Sequence, residues 1–296
     1  MLQRIWLFLL TNIAVIVLLN IIFLWLEKWL WIQLSWYGYY IVFAAVIGFG
    51  WSFISLWISR WMAKKAYKPT LITSEVIDQL DKKERAVYDT VVTIAEQHHI
   101  TLPEIGIYES VDPNAFATGA TKNSSLVAVS TGLLASMDID EIEWVVAHEM
   151  AHVLNGDMIT MTLLQWVLNT FVIFISRVLA NIISQFVRPE LSTIAYFVIT
   201  IVLEIIFGIL ASLVVMWFSR KREFRADEGS AKLVWKTKMI KALQALQKMQ
   251  QRAPKDSGKF ATMQISTRGK TWFKALFSSH PDLSDRIKNI EDLIIQ

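Results

Sequence analysis

Cysteine is absent from this chain. That excludes disulfides, thiolate metal sites and a cysteine nucleophile, and leaves histidine and carboxylates as the only strong metal ligands. Charge is scarce as well: 19% of residues are charged, against roughly 25% in a soluble domain. The net charge is only +3, so no basic field points to nucleic acid. No internal repeat or low-complexity tract is present. Apolar residues are abundant instead, at 54%, with 13 tryptophans, more than one soluble domain needs.

The apolar residues fall in long runs. Ile5 to Leu26 carries no charge and is long enough to cross a hydrocarbon core of about 30 Å. Glu27, Lys28 and Trp29 follow it where a signal peptide would place a small-residue cleavage site, so a retained anchor is expected. A second uncharged stretch runs from Trp29 to Ser59. Trp25, Trp29, Trp31 and Trp36 cluster near its start, and Trp57 and Trp61 near its end, the interfacial depths that indole rings favour. The third run, Met158 to Val187, contains Arg177; the fourth, Leu191 to Ser219, contains Glu204; Arg188-Pro189-Glu190 makes the turn between them. Ionisable side chains at membrane depth are costly and usually paired or facing water, so Arg177 and Glu204 could approach each other across the last hairpin; snorkelling of Arg177 and a neutral, protonated Glu204 are the alternatives, and the sequence leaves the choice open.

Basic residues set the expected topology. Arg4, then Arg60, Lys64, Lys65 and Lys68, then Arg220, Lys221, Arg222 and Arg225 flank the runs on one side, against Lys28 and Arg188 on the other. The excess places both termini and both soluble segments in the cytoplasm.

In the first soluble segment a helix is expected from about Ser74 to His98, with short strands at Pro103 to Tyr108 and Ser125 to Ser130. Another helix should start near Asp138 or Asp140 and end before Asn155-Gly156. The polar segment Arg252 to Lys259 reads as a mobile loop.

That last helix carries His148-Glu-Met-Ala-His152, an H-E-x-x-H pattern. Positions i and i+4 share a helix face, so the two imidazoles can grip one zinc ion, with Glu149 beside them as general base. The surrounding Trp144, Val145, Val146, Ala147, Ala151 and Val153 imply a buried helix, where polar side chains need partners that a metal supplies. A catalytic zinc needs a third protein ligand. His98, His99, His280 and Glu223 are the candidates. Glu223 and Asp227, at i and i+4, could act together, one on the metal and the other on a ligand histidine. Spacing alone leaves the choice open.

The chain resembles the HtpX family of bacterial membrane-bound heat-shock metalloproteases, in the broader Ste24-like gluzincin group. The resemblance covers nearly the whole chain. It rests on Asn114-Ala-Phe-Ala-Thr-Gly119, His148-Glu-Met-Ala-His152, Asn155-Gly-Asp157, Glu223-Phe-Arg-Ala-Asp227 and His280-Pro-Asp-Leu-Ser-Asp-Arg286. It implies that His148, His152 and Glu223 hold one Zn2+ per subunit, that Asp227 supports a ligand histidine, and that Glu149 is the base. It further implies that Asn114, Ala115 and Phe116 form an edge strand pairing with substrate backbone, and that His280 and Arg286 stabilise the tetrahedral intermediate and order the site.

The expected fold is an α-helical membrane protein with four transmembrane helices and a mainly α, α+β zincin-like protease domain. Residues 1–60 form the first helix pair and 158–219 the second; 61–157 and 220–296 form two parts of one cytoplasmic catalytic domain. The resemblance implies quality-control proteolysis of misfolded membrane proteins at the bacterial inner membrane. The partners are such substrates and the lipid bilayer, with no nucleic acid, and the sequence leaves the oligomeric state open. A non-proteolytic zinc-binding membrane scaffold is the main rival reading. A transporter, or a soluble metallopeptidase with long core helices, are the others.

Overall fold

A computed structural model of the chain describes residues 53–73, 75–234, 236–252 and 280–293. The expected first span, most of the second and the polar segment 253–259 lie outside the described residues. The chain divides into two compact units; one takes in residues 165–211, the other the described parts of 53–164 and 212–296.

Residues 165–184 and 189–211 belong to two helices, α5 (Asp157–Ser184) and α6 (Pro189–Val234). Among the described residues these are the two helices long and apolar enough to cross a membrane. Val167, Phe171, Ile194 and Phe197 stand exposed along them, large apolar side chains that suit hydrocarbon better than water. Arg177 and Glu204 do meet: Nη1 lies 2.6 Å from Oε1, and both side chains are buried. Helix α6 does not stop where its apolar run stops at Ser219. It continues through the basic residues Arg220–Arg225 to Val234, so Glu223 and Asp227 share one face of one helix.

In the other unit a helix, α1, covers 53–67. Four strands follow: β1 (Thr70–Leu71), β2 (Glu104–Tyr108), β3 (Ala115–Thr121) and β4 (Ser124–Ser130). They form one sheet in the order β1-β2-β4-β3. The β2–β4 pairing is parallel and the outer two pairings are antiparallel. Strand β3 is therefore an edge. Helix α2 runs Lys82–Gln97, shorter than the expected 74–98. Asp81 is the reason: its side chain accepts from the Lys83 and Glu84 N–H groups while Glu84 accepts the Asp81 N–H. This capping box fixes the first turn there.

Short helix α3 (Thr131–Ser136) leads to the long α4 (Ile139–Asn155). Asp138 caps α4 in a second capping box with Glu141, and Gly156 ends it at φ 65°, a left-handed conformation that glycine adopts without strain. Helix α4 is the centre of the core. Val146, Ala147 and Met150 are fully buried with Val87 and Val91 of α2, Val127 and Val129 of β4, and Met239 and Leu243 of α7 (Lys236–Arg252). Leu283 and Ile290 of α8 (Leu283–Glu291) join the same cluster. Full burial of each such aliphatic side chain contributes about 1.5–3 kcal/mol before entropy is counted. The close approach of α6 to α4 depends on Gly229: a Cβ there would lie 3.1 Å from that of Ala151.

Candidate metal centre

Helix α4 presents His148 and His152 one turn apart, with ring centroids 4.8 Å apart and nearly perpendicular. Helix α6 brings Glu223 to them. Its Oε2 lies 3.5 Å from His148 Nε2 and its Oε1 3.4 Å from His152 Nε2. One ligand atom from each of the three residues falls within a 4.8 Å span. His98 and His99, the other early imidazoles, are exposed at the end of α2 and take no part.

Each imidazole has its own carboxylate on the far side. His148 Nδ1 lies 2.9 Å from Asp227 Oδ1, and His152 Nδ1 lies 2.6 Å from Asp157 Oδ2. A carboxylate at Nδ1 favours the proton there and an inward Nε2 lone pair; the Asp157 contact is a hydrogen bond, and the Asp227 contact is a close charge approach. Asp227 is itself gripped by Arg286 of α8, whose Nε and Nη2 donate to its two oxygens at 2.7 and 2.5 Å. Arg286 is 2% exposed, and its remaining Nη1 lies 4.0 Å from Glu223 Oε2. Trp144 packs against His148 and donates Nε1–H to Ser230 at 3.2 Å.

Burial opposes charge on His148, but the Asp227 and Glu223 carboxylates overcome it and raise the imidazole to about 9. His152 follows the same pattern: burial lowers it, and Asp157 and Glu223 outweigh burial and raise it. Positive charge is thus favoured where the three ligand atoms converge. Glu223 Oε1 is buried with no hydrogen-bond partner, an arrangement native proteins rarely leave without compensation. Two imidazole nitrogens and one carboxylate, with no thiolate, form the donor set of a catalytic zinc site. The residues present therefore fit a divalent metal.

Glu149 borders the same pocket as His148, Glu223, His280 and Asn114. Its Oε2 accepts the Ala117 N–H of β3 at 2.9 Å. His280 is about one-third exposed, with Nδ1 2.9 Å from Glu223 Oε2. On the edge strand, Asn114 main-chain groups turn inward, its C=O accepting the Ser130 N–H and its N–H donating to Ser130 Oγ. Antiparallel alternation then turns the main-chain groups of Ala115 and Ala117 outward and those of Phe116 back to β4. The Phe116 ring packs with Tyr67 and Tyr108. Of the site residues that the resemblance implies, Asn114, Ala115, His148, Glu149, Glu223, His280 and Arg286 line this pocket; His152 and Asp227 meet its Glu223 and His148 from behind, and the Phe116 ring packs elsewhere. Asp157 and Ala117 carried no assignment in the sequence. Asp157 had a signal, an acid just past a helix-ending glycine; Ala117 had none, because only strand register shows which groups face out.

Residues 81–294 match the model of peptidase family M48. The chain belongs to peptidase family M48. It is 49% identical to a protease HtpX of Tolumonas auensis over 298 residues, covering 98% of this chain and 99% of the other. A protease HtpX of Pasteurella multocida is 50% identical over 293 residues, covering 98% of each chain. The fold is similar to the crystal structure of Ste24p from S. mikatae, with a TM-score of 0.60 at 20% identity. That match covers 94% of this chain, which spans 62% of the Ste24p chain. As an M48 peptidase the chain is a metalloprotease, and the cluster of His148, His152 and Glu223 can hold its metal.

Proposed function

We propose that the chain is a zinc endopeptidase held in the bacterial cytoplasmic membrane by four helices, hydrolysing peptide bonds of misfolded membrane proteins on the cytoplasmic side. The observation that carries this reading is the convergence of His148, His152 and Glu223 in the pocket that also holds Glu149. Helices α5 and α6 and the asymmetry of basic residues support the membrane and its orientation. The names of the relatives support proteolysis.

A zinc ion on these three ligands would supply Lewis acidity to the pocket. The chain's own residues do the rest. Glu149 takes a proton from the attacking water and returns it to the leaving amine. The outward N–H and C=O groups of Ala115 and Ala117 pair with an extended peptide backbone, a mode of binding that makes little demand on side-chain sequence. Asn114 and Phe116 support that edge, Asn114 from the pocket wall and Phe116 from beneath the strand. Glu149 must release the Ala117 N–H when a peptide takes that place. His280, partly open to the pocket, donates to charge that develops on the scissile carbonyl oxygen. Arg286 orders the site through Asp227.

The test compares purified full-length wild type with Glu149→Ala on a model membrane protein. The variant is expected to retain zinc and to cleave about 100- to 10,000-fold more slowly, the range for losing a general base. Cleavage at the wild-type rate would refute the assignment. A wild-type protein that holds zinc and cuts nothing would favour the scaffold reading.

A further inference from the structure

We propose that Asp157 is the positioning residue of His152, and that it shields the metal centre from two nearby arginines. The inference rests on the reading that His148, His152 and Glu223 hold zinc. Asp157 is 1% exposed, and its Oδ2 lies 2.6 Å from His152 Nδ1. The sequence makes this contact possible in a specific way. At 3.6 residues per turn, a position five residues along an unbroken helix points about 140° away. Residue 157 could not reach residue 152 on a continuous α4. Gly156, at φ 65° with its N–H turned back to His152 and Val153 carbonyls, breaks the helix, and α5 restarts at Asp157 with its carboxylate beside the imidazole.

The geometry mirrors that around His148. There, Asp227 stands between the imidazole and Arg286. Here, Asp157 stands between His152 and two arginines of α6: Arg225 Nη2 is 3.6 Å from Oδ1, and Arg222 Nε is 4.0 Å from Oδ2. Arg222 also approaches Glu223 Oε1, at 3.6 Å. Without the Asp157 charge, both guanidinium groups would stand beside the His152 imidazole with no compensating anion there, and Arg222 would keep only its approach to Glu223. Asp157 thus fixes the tautomer and direction of His152 and compensates positive charge beside the metal. Removing such a partner typically weakens metal binding about 10- to 100-fold.

Zinc affinity measured by competition with a chromophoric chelator tests this on full-length protein in detergent. The variants are Asp157→Ala and Asp157→Asn, with Asp227→Asn as comparator. The visible spectrum of the cobalt(II)-loaded forms reports ligand geometry. Asp157→Asn keeps an acceptor oxygen and nearly the same volume, so it folds even if Asp157→Ala does not. The expected result is zinc affinity about 10- to 100-fold weaker for Asp157→Asn, a shifted cobalt spectrum, and unfolding of the metal-free form close to wild type. Wild-type affinity with an unchanged cobalt spectrum would overturn the proposal. So would a lower unfolding temperature with affinity unchanged, which marks a merely structural residue. Failure of the wild type itself to bind zinc would instead strike the metal-site reading.

Discussion

Arg177 with Glu204 and Arg286 with Asp227 are both buried ion pairs, each in a different unit, and they stand in different company. The first pair sits on two long apolar helices, where one cation meets one anion at 2.6 Å. The second is one link in a chain that runs through His148 to Glu223, a carboxylate with a buried oxygen that lacks a hydrogen-bond partner. Buried charge therefore does not by itself mark a functional site. A neutralised pair between two helices fixes their contact. A network that gathers carboxylates around inward-facing imidazoles and leaves an acceptor over is built for a further cation.

The contrast is broken most sharply at Arg286. Arg286→Ala leaves Asp227 buried without its bidentate partner, and the expected cost is about 3–5 kcal/mol, the range for half of a buried pair. Thermal unfolding of the metal-free protein measures it. A change near zero would mean that Asp227 is not held as the distances indicate.

The second test is pH. In the metal-free chain His148 is raised to about 9, whereas a metal takes the imidazole in its neutral form. Below that pH the free site carries a proton that the loaded site has lost, so raising the pH favours loading. Zinc affinity is expected to rise with pH, about tenfold per unit for each proton displaced, and to level off above about 9. Chelator competition across this range shows it; a flat profile would contradict the raised imidazole.

The third sharpens the other half of the comparison. In a double-mutant cycle of Arg177→Met and Glu204→Gln, the expected coupling is about 0.5–3 kcal/mol, as for residues in direct contact. The doubly substituted chain is expected to be more stable than either single variant, because replacing both charged partners leaves no charge stranded. Additive effects would mean that the pair does not form in the membrane. The smallest effect is at a helix end: Asp138→Ala removes the cap of α4 and is expected to cost about 1 kcal/mol, read from denaturant unfolding.

What was legible in the sequence was local or long. His148, Glu149 and His152 follow from one helical turn. Asp138 and Gly156 bracket their helix by capping chemistry, and the runs holding Arg177 and Glu204 declare themselves by length. Helix α2 starts at Lys82 and not near Ser74, because the capping box of Asp81 and Glu84 fixes its first turn. The third ligand was not legible from spacing, because Glu223 lies beyond a long apolar hairpin and four residues satisfied the same chemical requirement; the family motif supplied it. The grip of Arg286 on Asp227 joins residues 59 apart in sequence, and the outward register of Ala115 and Ala117 depends on a neighbouring strand. Neither leaves a periodic trace.

The metal content of purified Glu223→Ala, set beside wild type and Glu149→Ala, tests the central claim most directly. Elemental analysis of the full-length proteins should find one zinc per chain in wild type and Glu149→Ala and none in a folded Glu223→Ala. Stoichiometric zinc in Glu223→Ala would contradict the account, because the imidazole pair would then be drawing its third ligand from elsewhere.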